Sequence, residues 1–547
     1  MKPEHLLVAP ILIPLFAGAL MLFYKSGQHR TKRIISLASS LALLVVAVQL
    51  VGVANDPPGQ AGVATYLLGN WAPPFAIVLV VDRLSALMLL LTAVLALPAL
   101  VFASARWDGR GQHFHSQFQF LLMGMNGAFL TGDLFNLFVF FEVMLAASYG
   151  LMLHGSGTLR VRAALHYIAV NLTASLCFLI GVAILYGVTG TLNMADLAVR
   201  VAELDAARRP LLLAGASILG VAFLVKAAMW PVCFWLPVTY VAAAPPVAAI
   251  FAGMSKVGFY VILRLSMLVF PAGVGPAGGF GAHLLVAGGF ATLAFGMIGV
   301  LASQGLGRVA GCFVIVSSGT LLLVTGMIGL GGPGGLLAGG LYYMISSTLA
   351  ISALYLIIEI VERDQSEFAS ILAVTAEAYG FMDEGPEDAD QEIGIALPVS
   401  VTILALAFGA CALLLAGLPP LSGFVGKLAM LSAAFNPSGM AAGGRMPPLA
   451  LAFSVMVILS GLAAMIALTR VGIQTFWAAD EQERPPVALV EILPVLALLL
   501  VALGVTARAE PVLRYMDATV ADLRDPGVYI AGVRDAPRVI RGEEGAP

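Results

Sequence analysis

The chain has 547 residues, 60% of them hydrophobic and 11% charged, with a net charge of −3 and a mean hydropathy of +0.97. So little charge over such a length excludes a soluble globular protein, and no basic cluster offers a surface for nucleic acid. The sequence reads as an all-α polytopic membrane protein, in which apolar runs long enough to span the hydrocarbon core recur about fourteen times.

The first run, 5–24, lacks an A-x-A exit and is followed at once by basic residues, which marks a retained span rather than a cleaved leader. A second, 34–53, follows the basic loop 25–33. The third, 77–104, holds Asp82 and Arg83 near its start and is followed by Arg106 and Arg110. Loop 154–162 carries His154, Arg160 and Arg162. Basic residues in alternate loops set loop 25–33 in the cytoplasm and the N-terminus outside, although Arg200, Arg208 and Arg209 in loop 193–209 break that rule.

Spans 116–130 and 134–153 are nearly continuous, and Glu142 stands mid-span among Phe140, Phe141, Val143 and Met144. A lone carboxylate at that depth needs a proton or a cationic partner. Thr131 and Asp133 suit a helix start, so Asp133 reads equally as a cap. Span 163–188 contains His166, Tyr167, Asn171, Thr173 and Ser175, polar residues that either line a wet seam or join helices.

The stretch 221–264 contains spans seven and eight, with Lys226 in one, Lys256 in the other, and Pro231, Pro237, Pro245 and Pro246 between them. Proline removes a donor and clashes with the preceding turn, so a single uninterrupted helix is not expected. Broken helices beside ionisable residues are a common way to build an ion site at membrane depth. The chain has six lysines: three at the N-terminus or in the first loop, and Lys226, Lys256 and Lys427 within apolar segments. Lysine loses its proton when desolvated and arginine in practice does not, so the distribution points to proton transfer; the alternative is snorkelling to the interface.

Spans 283–303, 307–328 and 336–360 are rich in Gly and Ser and include Ser303, Gln304, Ser317, Ser318, Ser346 and Ser347. Segment 359–392 has eleven acidic residues and only Arg363 as a base, and reads as a solvated loop. The twelfth span, 393–435, breaks at Pro419 and Pro420 with Lys427 just beyond, and 449–477 and 487–507 complete the set before a polar tail with DLRDPGVYI. Two broken helices, one in each half, suggest an inverted repeat. The expected organisation is N-terminal helices in 1–112, repeats in 113–270 and 281–477, and a last helix with tail in 478–547. Cys177, Cys233, Cys312 and Cys411 lie in apolar segments without a CxxC pair and read as small buried side chains; no metal or cofactor site is expected.

Together, the FFE at Glu142, VKAAMWPVCFWLP, SKVGFYVILR and GLPPLSGFVGK resemble the antiporter-like subunits shared by respiratory complex I and the Mrp (Pha) multisubunit monovalent cation/proton antiporters. KVGFYVILR, GLPPLSGFVGK and PGVYI are most similar to the D-subunit branch of the Mrp group. The resemblance covers nearly the whole chain. It implies fourteen helices, two inverted five-helix repeats, and discontinuous helices seven and twelve. It also implies proton-translocating roles for Glu142 in helix five, Lys226 paired with it in helix seven, Lys256 in helix eight and Lys427 in helix twelve. The implied setting is a bacterial inner-membrane hetero-oligomer of six or seven membrane subunits that exchanges Na⁺ or K⁺ for protons. Many relatives carry His or Lys in helix eleven, where this chain has Ser346 and Ser347, so a path from Lys256 to Lys427 must use hydroxyls and water.

The leading rival is a proton-pumping membrane subunit of a complex I-like NADH dehydrogenase or membrane hydrogenase. A self-contained solute transporter and a structural subunit with inert lysines are the others. The chain contains no Gly-rich dinucleotide fingerprint after a strand and no cluster-binding cysteines, so an enzyme is not expected.

Overall fold

The computed structural model describes residues 3–25, 27–55, 63–71, 77–275, 277–379, 399–435, 447–476 and 487–536. Regular structure in these residues is helical apart from one antiparallel hairpin, Ala64–Leu67 with Val78–Val81. Among them, eleven helices are long and apolar enough to cross a membrane, and Ala9–Leu22, Val401–Ala416 and Ser422–Phe435 are shorter apolar helices.

In a bilayer the more apolar helices can face lipid, and the less apolar ones are enclosed by protein. Pro245–Leu268 and Leu306–Gly329 are fully buried across their most apolar windows and Gly334–Arg363 is 89% buried, whereas the more apolar Thr158–Thr189 and Ala282–Ala302 are 39% and 33% buried. The three buried helices pack on one another and carry Lys256, Ser317, Ser346 and Ser347. The polar groups of the central spans therefore face protein and not lipid.

The third span begins at Arg83, not at 77. Val78–Val81 pairs as a strand, and Asp82 then caps Arg83–Arg106 in a box: its carboxylate accepts from Ser85 N at 2.9 Å and Ser85 Oγ accepts from Asp82 N at 2.9 Å. Asp133 is likewise a cap, accepting from Asn136 N at 2.9 Å at the start of Leu134–Met152. Loop 193–209 contains a further helix, Met194–Ala202, capped by Asn193. Lys32, expected in a loop, lies within His29–Asn55 and is only 4% exposed.

The polar tail forms two helices, Ala509–Arg524 and Pro526–Arg534. It docks because Arg83 pairs with Asp522 at 2.5 Å, Tyr515 OH donates to Arg83 O at 2.9 Å, and the Tyr529 ring lies 5.1 Å from the Arg264 guanidinium. Arg264 in turn forks onto Asp82, with Nη1 2.6 Å from Oδ2 and Nη2 2.8 Å from Oδ1. The acidic segment, expected as a loop, starts as helix, since Gly334–Tyr379 runs into it. Glu359 accepts from Trp107 Nε1 at 3.1 Å, and Arg363 pairs with Glu491 at 2.9 Å, so the first charges of the segment are satisfied by protein. Residues 380–392, and the expected start of the twelfth span at 393, lie outside the described residues.

Arg83–Arg106 connects two polar rims: its 24 residues rise about 36 Å. Asp82, Arg264, Asp522 and Tyr529 gather at one end. At the other, Asp108 accepts from Arg33 at 2.8 Å and lies 3.3 Å from His115 Nε2.

Candidate functional site

The seventh span is interrupted as its prolines require. Arg209–Lys226 stops at Lys226, and Trp235–Ala242 follows after an irregular turn. Trp235 Nε1 donates to Val225 O at 3.2 Å, and Thr292 Oγ1 accepts from Trp230 N at 2.8 Å, so part of the backbone freed by the break is satisfied within the protein. Pro245 and Pro246 then open the eighth span, Pro245–Leu268, at the positions where a missing N–H costs nothing. Gly258 brings the two lysine helices together. A Cβ there would lie 2.7 Å from Ala227 N and 2.9 Å from the Lys226 carbonyl carbon.

Lys226, 8% exposed, directs its Nζ to Asn171 Oδ1. Asn171 Nδ2 donates to Tyr167 O at 2.7 Å, and the Tyr167 and Ser148 hydroxyls are 2.9 Å apart. The expected Glu142–Lys226 ion pair is not a direct contact: Lys226 is held by Asn171, and Glu142 Oε1 is buried without a hydrogen-bond partner among the described residues. The two residues remain within electrostatic reach, and Phe141, beside Glu142, has its ring centroid 5.8 Å from Lys226 Nζ. Beyond Lys226, a cavity of about 10 Å³ lined by Tyr167, Asn171, Tyr240 and Ser255 leads to the eighth span. Its volume is about that needed for a single water molecule.

Lys256 is completely buried and donates to Ser317 Oγ at 2.9 Å. Ser317 Oγ is 3.0 Å from Ser347 Oγ, and the adjacent Ser346 Oγ is 2.8 Å from Ser422 Oγ. Ser422 opens Ser422–Phe435, the second half of the broken twelfth span. The first half, Val401–Ala416, ends at Gly417, whose φ of +74° favours a residue without a Cβ. Lys427 reaches back across the break, donating to Ala416 O at 2.9 Å and to Leu415 O at 3.4 Å. An ammonium thus sits on the negative end of a half-helix.

Lys226, Lys256 and Lys427 are therefore each held by a neutral acceptor, and hydroxyl groups occupy much of the interval from Lys256 to the twelfth-span break. The hydroxyls at Ser346 and Ser347 are legible in the sequence, but their split partnership is not, with one serving Ser422 and its neighbour Ser317. Asn171 as the partner of Lys226 also escapes sequence reasoning. Its signal is an amide in the middle of an apolar span, indistinguishable in sequence from a residue that joins helices.

A family model described as "NADH:quinone oxidoreductase/Mrp antiporter, TM" matches residues 131–443, an interval that contains Glu142, both helix breaks, Lys226, Lys256 and Lys427. The chain belongs to this family. Within the Mrp antiporter and oxidoreductase family, it is 53% identical to a protein of Rhizobium meliloti (strain 1021) named as the D subunit of a probable K⁺/H⁺ antiporter, with 98% of each chain covered. It is 34% identical to the D subunit of an Na⁺/H⁺ antiporter of Alkalihalophilus pseudofirmus, over 97% of this chain and 99% of that one. Among solved structures, a chain of the Mrp complex from Dietzia sp. DQ12-45-1b is similar with a TM-score of 0.79 and 26% identity, covering 98% of this chain and 100% of that chain. The fold is that of a membrane antiporter subunit.

Proposed function

We propose that the chain is the proton-translocating D-type component of a multisubunit Na⁺(K⁺)/H⁺ antiporter and acts as part of a transporter rather than as an enzyme. The observation that carries this reading is the chain Lys256–Ser317–Ser347, with Ser346–Ser422 beside it, lying between two broken helices that bear Lys226 and Lys427. The names of its similar full-length relatives support the reading. So does the likeness to a chain of the Mrp complex, which supports assembly with the other membrane subunits, six or seven in all.

With Phe114–Leu130 included and each broken helix counted as one crossing, the described helices give fourteen; the two broken helices support inverted repeats in 113–270 and 281–477, and the bacterial relatives support a multi-pass location in an inner membrane. In the proposed cycle, Lys226 takes a proton, Lys256 receives it, and the serine hydroxyls with intervening water carry it to Lys427. Glu142 acts on Lys226 through space. Its approach favours the ammonium, and its withdrawal frees the proton to move on.

The test uses inverted vesicles from a host without its own antiporters, expressing the full complex, with a pH-sensitive dye and pulses of Na⁺ or K⁺. Wild type should give a cation-dependent signal that Lys226→Ala abolishes in an equally assembled complex; a normal signal from that variant rules out a proton path through Lys226. The family match also covers oxidoreductase subunits. An assembled wild type that exchanges neither cation and co-purifies with redox subunits would favour the redox-pump reading.

A further inference from the structure

A cleft of about 190 Å³ opens chiefly between Arg209–Lys226, Pro245–Leu268 and Ala282–Ala302, with Leu197 and Val201 of Met194–Ala202 and single leucines, Leu134 and Leu185, of two other spans adding to its lining. Its mouth is marked by Val221 and Leu284, 46% and 56% exposed, and its floor by Leu219 and Phe223, both nearly inaccessible. Ser217 and Ser266 are the only polar side chains in the lining, and the Ser217 hydroxyl is turned onto its own helix at Leu213 O, 2.8 Å away. The cleft exceeds the ~150 Å³ of engineered apolar cavities that take up benzene, and between membrane spans its mouth meets hydrocarbon and not water.

The charge above this cleft identifies what enters it. Arg208 and Arg209 stand at the start of the helix that forms one wall, about 10 Å above Ala216 at the upper end of the lining. Among the described residues neither makes an ion pair and Arg209 Nε is buried without a hydrogen-bond partner. Glu203 and Asp205 in the same loop do not pair with either, whereas Arg200 is already engaged by Asp196 at 2.9 Å and by Thr189 O. These two arginines belong to the loop whose basic residues break the positive-inside pattern, which a binding role on that face would account for.

We propose that the cleft is a phospholipid site: one acyl chain lies between the three helices, and the phosphate is held by Arg208 and Arg209. The seated chain also seals the lysine site. Phe223 on the floor packs its ring 5.7 Å from Phe141 and 5.1 Å from Phe178, and Phe141 is the ring beneath Lys226 Nζ. One aromatic layer therefore separates the acyl chain from the lysine. This inference is independent of which cation is exchanged.

The test replaces Leu284 with photo-reactive benzoylphenylalanine in the full complex, irradiates native membranes, and identifies the adduct by mass. Gly220 lines the cleft, and a Cβ there meets no atom within 4 Å, so Gly220→Phe fills the space without displacing backbone. The expected result is a phospholipid adduct whose yield falls about tenfold in Gly220→Phe, because the volume is already occupied, and falls also in the double variant Arg208→Gln/Arg209→Gln. An adduct with another polypeptide, or a lipid adduct of equal yield in Gly220→Phe, would overturn the proposal. Cation-dependent exchange by the same wild-type membranes reports on the antiporter reading separately.

Discussion

Ser317→Ala is the sharpest probe of the path through the buried spans. Ser317 Oγ accepts from Lys256 Nζ at 2.9 Å and continues to Ser347 Oγ at 3.0 Å, in a place with no solvent access, so its loss both strips the lysine of its acceptor and opens a gap in the chain. A hydrogen bond to a charged group contributes about 1.5–3 kcal/mol, which corresponds to a roughly 10- to 150-fold fall in exchange rate if the proton must visit Lys256 in that position. The neighbouring Ser318 supplies the control. It is equally buried but its hydroxyl has no partner among the described residues, so Ser318→Ala should leave exchange intact and stability equal or slightly higher. The assay is initial-rate dye dequenching in inverted vesicles, with each variant's complex quantified after purification. If Ser317→Ala exchanges as fast as Ser318→Ala in equally assembled complexes, the hydroxyl chain is not the route and the reasoning fails.

Gly417→Ala forces a side chain onto a φ of +74° and sets its Cβ 2.5 Å from Lys427 Cδ, so it should destabilise by about 1–2 kcal/mol and displace the ammonium from the half-helix end, lowering both melting temperature and exchange. Arg264→Met leaves the Asp82 carboxylate buried without its fork and should cost about 3–5 kcal/mol in thermal denaturation, with much of the loss recovered in Asp82→Asn/Arg264→Met; equal losses in both would show that the pair is not the cause. His154, in the loop after Leu134–Met152, is held below its ordinary 6.5 chiefly by burial, opposed by its bond to Trp107 O at 2.7 Å and aided by Arg160 nearby. A histidine kept neutral in the fold contributes stability above its unfolded pKa that is lost as pH falls toward the folded value. The melting temperature should therefore drop between pH 7 and pH 5, and His154→Gln should flatten that dependence.

The candidate site is partly legible in the sequence. Lysine confined to apolar segments points to Lys226, Lys256 and Lys427, and the prolines beside two of them locate the breaks at 227–234 and 417–421. Glu142 is found by the same logic, but its partner is not. A carboxylate and an ammonium at membrane depth invite pairing on energetic grounds, yet helix packing sets Lys226 on Asn171 and leaves Glu142 at a distance. The folded tail escapes for a related reason. DLRDPGVYI is polar in isolation, and the partners of its Asp522 and Tyr529 are Arg83 and Arg264, more than 250 residues upstream.

The sequence by itself determined that this chain lives in a bilayer, roughly where its helices begin and end, where two of them break, and which side chains can hold a proton at depth. Those properties are local: hydropathy over about twenty residues, the missing donor of proline, the chemistry of a single lysine. Only the tertiary structure decided partners. Lys226 meets Asn171 across 55 positions, Lys256 meets Ser317 across 61, and Asp82 meets Arg264 across 182. Which polar groups meet depends on the rotation and register of packed helices. An apolar span fixes neither, because lipid tails give its faces nothing to discriminate until neighbouring helices close on it.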